Sequence, residues 1–304
     1  MLNEIIIILA YTYISFLFLK LLEWIYKVTL RSRKPHNCIY GVGSWVFITG
    51  ASEGIGKNFA EEFAKQGFNL ILVSRNISNL KKCEEAIKII NQNIEILSIP
   101  FDFTKKITIE DYKNSFDEVI QKKDISILIN NIGLRDVRKF TEFSLEEVHN
   151  IIVANTIPQV LLSKMLLHKF KERKNRSAVI NISSSSSVYP LPLFVLYSST
   201  KILNHNLSVR LNYELNNKID ILSATPFFVQ TSTVKMIPNG LTVITSHQFV
   251  NSVLDQLGYE SHTYGYWSQQ VLGFIFENVV EYVLFLVVYL LKKRKKNSED
   301  NISH

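Results

Sequence analysis

The chain has 304 residues, 47% of them hydrophobic and 20% charged, with a formal net charge of +7. That length accommodates one large domain with appendages, and two cysteines, Cys38 and Cys83, exclude a disulfide framework and fit a reducing compartment. The seven histidines are scattered without ligand spacing, so no metal is expected. In chain order, the first feature is an apolar segment from 5 to 25, long enough to span a bilayer. It opens Met-Leu-Asn-Glu, without the positive start of a cleaved signal peptide, so residues 1–26 are expected to be a transmembrane helix. Residues 27–43 are expected to form a basic linker carrying Lys27, Arg31, Arg33 and Lys34. By the positive-inside preference they put the following domain in the cytosol. This cluster and a second one at 292–296 hold the positive excess beside apolar segments, which argues for a membrane partner and against nucleic acid.

From 44 the pattern changes to alternating strands and helices. The apolar run 45–49 reads as a strand, and Ile55, Phe59, Phe63 and Ala64 form one stripe of the helix after it. Further strands are predicted at 69–74, 94–99, 125–129, 178–182 and 220–224. Helices are predicted at about 78–90, 107–121 and 145–171, and another carries Tyr197 and Lys201 to about 216. This alternation predicts an α/β fold, a doubly wound parallel sheet with helices on both faces, whose ligands bind beyond the carboxyl ends of the strands.

Each motif falls at such an end. The turn Thr49-Gly50-Ala51-Ser52-Glu53-Gly54-Ile55-Gly56 lets the backbone turn tightly and approach a pyrophosphate at a helix N-terminus. Arg75 follows the second strand with no acid nearby, and an arginine there pairs with the 2′-phosphate of NADP, so NADPH is the expected cofactor. Tyr197 and Lys201 share a helix face four residues apart, so the ammonium is expected to lower a phenol pKa that is ordinarily near 10. Ser184 lies in a serine run upstream and could hold a carbonyl oxygen.

The glycine turn, Asn130-Asn131-Ile132-Gly133, Asn155, Ser184 and Tyr197-x-x-x-Lys201 occur in an order that resembles the classical short-chain dehydrogenases/reductases over roughly 44–265. The run from Asn181 through Pro190-Leu-Pro192 to Lys201 resembles the membrane-bound branch of 17β-hydroxysteroid dehydrogenases of types 3 and 12, which includes the very-long-chain 3-oxoacyl-CoA reductases. The resemblance implies a Rossmann-like fold over 44–268 and a catalytic set of Asn155, Ser184, Tyr197 and Lys201. In that set Ser184 and Tyr197 contact substrate, Lys201 holds the nicotinamide ribose, and Asn155 positions a relay water. It implies cofactor contacts from Gly50, Ser52, Glu53, Gly54, Ile55, Gly56, Arg75, Asp102, Asn130, Tyr197, Lys201 and Val229.

Residues 269–291 are expected to form an apolar membrane-associated helix, and 292–304 a basic, polar tail. Glu277 and Glu281 share one face of that helix, which favours an interfacial or re-entrant helix over a span. Phe227, Phe228, Val234, Met236 and Ile237 are expected to line an apolar substrate pocket. The implied function is NADPH-dependent reduction of a ketone on a hydrophobic substrate, a long-chain 3-oxoacyl-CoA, at the endoplasmic reticulum membrane. A 17-ketosteroid reductase and a catalytically silent scaffold are the alternatives, and a homodimer is among the expected partners.

Overall fold

The computed structural model describes residues 2–26, 35–189, 191–215, 218–231, 234 and 236–277. The basic cluster at 27–34, Pro190, the C-terminal half of the expected apolar helix with Glu281, and the basic tail lie outside the described residues. The chain divides into two compact units, Met1–Pro35 and His36–His304. The first unit contains α1 (Leu2–Ile25), whose Ile14, Phe18 and Leu19 side chains are exposed.

The second unit begins with α2 (His36–Tyr40) and contains the strands β1 (Trp45–Thr49), β2 (Asn69–Ser74), β3 (Ile96–Pro100), β4 (Ile125–Asn130), β5 (Ser177–Ile182), β6 (Ile219–Ala224), β7 (Phe228–Gln230), β8 (Val243–Thr245) and β9 (His262–Thr263). Seven of them form one parallel sheet in the order β3-β2-β1-β4-β5-β6-β9, and β7 and β8 pair separately. The helices are α3 (Gly54–Lys65), α4 (Ile77–Ile90), α5 (Ile109–Lys122), α6 (Leu145–Glu172), α7 (Val195–Leu215), α8 (Ser246–Leu254) and α9 (Trp267–Ile275).

Alternation along β1 builds two cores. Val46 and Ile48 meet Phe59, Phe63, Phe68 and Phe249 on one face. Phe47 meets Phe116, Leu162 and Phe170 on the other. Each of these large side chains contributes roughly 1.5–3 kcal/mol by burial. All five residues of β1 and all six of β4, β5 and β6 are buried, as strands covered on both faces must be. Capping boxes at Thr108, Ser144 and Thr245 start α5, α6 and α8. By length and composition α6 would also be able to cross a membrane, yet 56% of the stretch is buried and it serves as a core helix.

The chain runs outward from β1 through β2 to β3, then returns to place β4 on the other side of β1. The reversal opens a crevice at the carboxyl ends of β1 and β4, where such sheets bind ligands. The predicted strands and helices appear within a few residues of their expected limits. β7, β8 and α8 have no counterpart among the expected elements, and three further features differ.

Part of the expected linker is α2, where Tyr40 is fully buried and donates to Asp220 Oδ2 at 2.9 Å. The edge strand β9 has two residues, too few to show an alternating pattern. The expected boundary at 268 falls inside α9, where Ser268 is 1% and Gln269 0% exposed. Close packing explains this, because a Cβ on Gly273 would stand 2.2 Å from the Tyr264 ring. Gly273→Ala should therefore lower stability by about 1–3 kcal/mol, the cost of overpacking. Thermal or chemical unfolding measures this, and an unchanged midpoint would mean that α9 is not seated against Tyr264.

Candidate active site

The first wall of the crevice is the turn between β1 and α3. Gly50 has φ +63°, and a Cβ there would meet Asn131 Nδ2 at 2.9 Å. A Cβ on Gly56 would stand 2.2 Å from the Gly50 carbonyl oxygen, so only glycine lets α3 lie this close to the turn. Glu53, the residue before α3, makes no side-chain cap, and the first-turn amides are left available to an acceptor. The side chain of Asn131 ties the turn to β4 by donating to the carbonyls of Thr49 and Gly50, both at 3.1 Å. Thr49 Oγ1 in turn accepts from the amides of Asn131 at 2.9 Å and Ile132 at 3.1 Å.

One cleft of about 650 Å³ runs from this turn across the sheet ends. Gly50, Ser52, Glu53, Gly54 and Ile55 line it, as do Arg75, Asp102 and Val229. Ser52 Oγ lies 2.9 Å from Ser74 Oγ, which fixes the ends of β1 and β2 together. Burial pushes the Asp102 carboxyl up, but hydrogen bonds from Thr104 Oγ1 (2.7 Å) and N (3.0 Å) outweigh it, with help from Arg75 and Lys105. The carboxyl is therefore held below its ordinary range.

Two expected cofactor contacts do not reach the cleft. Asn130 is 3% exposed and donates to Asn181 Oδ1 at 2.8 Å, so it closes β4 onto β5, while its neighbour Asn131 lines the opening. The twofold alternation along a strand puts consecutive side chains on opposite sides. Gly56 lies behind the turn and acts through packing alone.

Ser184, Tyr197 and Lys201 come together in the same cleft. Ser184 caps a short 3-10 turn, where its Oγ accepts from Ser186 N at 3.2 Å. Tyr197 and Lys201 come from α7, with Lys201 Nζ 5.6 Å from the Tyr197 ring centroid. The lysine is 2% exposed and donates to the Ile182 carbonyl at 2.7 Å. Any side chain at Gly133 would crowd it, since a Cβ there would lie 3.1 Å from Nζ. Asn155 Nδ2 donates to the Leu134 carbonyl and to Thr200 Oγ1, both at 2.9 Å, and its Oδ1 accepts from Leu134 N at 2.6 Å. Its side chain thus fastens the loop after β4 to α7.

The electrostatics differ from the expectation of a phenol lowered by its lysine. Burial pushes Tyr197 up to about 12, opposed by the charge of Arg135 and a hydrogen bond with Ser184. Burial also brings Lys201 down to about 8. Desolvation disfavours the charged form of both groups and is the largest influence on each.

The opposite end of the cleft is apolar, walled by Tyr189, Leu191, Phe194, Phe227, Phe228 and Val234. Met236 and Ile237 are not part of it, being 42% and 87% exposed. Two lining residues come from the C-terminal segment, Leu272 and Phe276. Gln269 holds this wall: its Nε2 donates to the Phe228 carbonyl at 2.9 Å and its Oε1 accepts from Phe227 N at 3.2 Å. Arg135 also lines the cleft. It escaped sequence reasoning, although a cation two residues beyond the Asn-Asn-Ile-Gly strand end was a usable signal.

Comparison with known proteins agrees with this geometry. The short chain dehydrogenase family profile matches residues 44–241. A very-long-chain 3-oxoacyl-CoA reductase of Macaca fascicularis is 32% identical over 273 residues, covering 84% of this chain and 85% of its own. A 17-beta-hydroxysteroid dehydrogenase type 3 of Danio rerio is 32% identical over 256 residues, covering 82% and 81%. Among solved structures, a short-chain dehydrogenase from Sphingobium yanoikuyae in complex with NADPH superposes with a TM-score of 0.63 at 26% identity, covering 70% of this chain and 84% of that one. With its parallel sheet, its glycine turn and the serine, tyrosine and lysine gathered in one cleft, the chain belongs to the short chain dehydrogenase family of oxidoreductases.

Proposed function

We propose that the protein is an NADPH-dependent reductase of a ketone on a long-chain 3-oxoacyl-CoA. The observation that carries this reading is a single cleft with an anion-ready glycine turn at one end and Ser184, Tyr197 and Lys201 beside an aromatic wall at the other. The residues present fit the cofactor. The uncapped start of α3 suits a pyrophosphate, Arg75 suits a 2′-phosphate, and the tight Gly50–Gly56 approach makes room for both. When bound, the nicotinamide supplies a hydride to the carbonyl carbon.

The chain supplies the rest. Ser184 donates a hydrogen bond to the substrate carbonyl oxygen and polarises it. Tyr197, held protonated by a pKa of about 12, gives its proton to that oxygen as negative charge develops. Lys201 adds a positive charge next to the tyrosine while it is protonated, and it presents a donor to the ribose hydroxyls. Asn155 acts as a positioning residue that sets the loop facing Lys201.

The names of the relatives support the acyl-CoA substrate, and the apolar end of the cleft suits a long chain. A 17-ketosteroid is the second reading, supported by the Danio rerio relative. The helix α1, with 24 residues spanning about 36 Å, supports a membrane anchor, at the endoplasmic reticulum with the second unit in the cytosol. The exposed Ile152 and Val160 of α6 with Ile202 and Leu203 of α7 offer a surface for a homodimer.

Tyr197→Phe should cut kcat with a 3-oxoacyl-CoA by about 10²–10⁴-fold with NADPH binding retained, and full turnover would refute the acid role. Arg75→Asp should reverse much of the preference for NADPH over NADH, by at least about tenfold in kcat/KM. Stability should also depend on pH. Below about 8 the folded protein holds a charged, buried lysine at a cost that is relieved as pH rises from about 8 towards the unfolded value near 10.5. Stability should therefore rise over that window, by up to about 3 kcal/mol. Chemical unfolding of Lys201→Met beside the native protein isolates this term, and an equal pH slope in both would exclude it.

A further inference from the structure

Arg135 is half-buried in the cleft, and no hydrogen bond or ion pair links it to any described residue. The acidic groups near it in the chain are engaged elsewhere: Asp136 and Glu147 both pair with Arg138, at 3.0 and 2.5 Å. Its guanidinium carbon lies 5.3 Å from the centroid of Phe194, and that ring packs edge-on against Tyr197 at 6.3 Å. The positive charge is felt at the Tyr197 hydroxyl. Arg135 follows β4, whereas Arg75 follows β2, two strands away across β1. The free guanidinium therefore belongs to the reacting end of the cleft and not to the end that suits phosphates. Five donors in a rigid, partly dehydrated fork call for an acceptor brought by the ligand.

We infer that Arg135 binds the thioester carbonyl oxygen of a 3-oxoacyl substrate while Ser184 and Tyr197 hold the 3-oxo oxygen. The inference rests on the acyl thioester reading of the site and deepens it. In a 3-oxoacyl thioester one carbon separates the two carbonyl carbons, so seating the ketone at Tyr197 brings the second oxygen into the immediate neighbourhood. The phosphates of a coenzyme A ester lie a whole pantetheine arm further on, out of reach of a cation packed on Phe194. A steroid with an isolated ring ketone carries no oxygen at that place. It would leave the guanidinium dehydrated and unpaired, which is the usual basis on which polar sites reject a substrate lacking one group. Arg135 is thus a specificity-determining residue that selects a 1,3-dicarbonyl over an isolated ketone.

The test compares kcat/KM for a long 3-oxoacyl-CoA and for its thioether analogue, in which a methylene replaces the thioester carbonyl, with NADPH in the native full-length protein, Arg135→Ala and Arg135→Lys. The native protein should prefer the thioester. Arg135→Ala should lose about 10- to 100-fold more kcat/KM on the thioester than on the thioether, mainly through KM. Arg135→Lys should recover part of that difference, since it keeps the charge without the fork. Equal losses on the two substrates, or no loss on the thioester, would overturn the assignment and leave the acyl-CoA reading intact. A native protein that reduces neither compound but does reduce an isolated steroid ketone would overturn both.

Discussion

Because a Cβ on Gly56 would fall 2.2 Å from the Gly50 carbonyl, the start of α3 can press against the end of β1, and the geometry of the cleft follows from that approach. The contact puts the helix start, with its unpaired amides, at the mouth of the crevice. It also brings the turn within reach of Asn131, which binds the carbonyls of Thr49 and Gly50 and so locks β1 to the loop after β4. That loop continues into Gly133 and Leu134, where Asn155 and Lys201 meet it. A bulkier residue at one glycine would thus be felt along a chain of contacts ending at the reacting groups.

The reacting groups obey a second constraint, the cost of charge under burial. A helical Tyr-x-x-x-Lys pair reads naturally as an ammonium that acidifies a phenol. In the folded chain both side chains lie deep enough that dehydration moves each towards its neutral form. The phenol is consequently a well-populated proton donor at neutral pH, the state a reduction requires. The downward influences on it come from Arg135, in the loop after β4, and from the hydrogen bond with Ser184.

The sheet and its helices were legible because fully buried strands leave continuous apolar runs, and the amphipathic helices between them have clear periods. Ser184, Tyr197, Lys201 and the glycine turn were legible from their spacing and chemistry. Asn130 and Asn131 show where such reading stops. Two identical neighbours differ only in which side of the strand end they occupy, and that is set by the register of β4 against β1 and β5. Leu272 and Phe276 were masked by their own apolarity, which fits a membrane as well as it fits a pocket. Tyr40 and Arg135 depend on partners distant in sequence, Asp220 for one and Phe194 for the other.

Gln269 makes the seat of α9 and the aromatic wall one mechanical unit. Its amide grips both the amide of Phe227 and the carbonyl of Phe228, so the helix cannot slide without dragging the two rings. The room available to a long apolar tail is then inherited from how tightly Gly273 nests on Tyr264, well away from the reacting carbonyl. Selection acting on tail length could work through helix packing alone and leave the proton-transfer chemistry untouched.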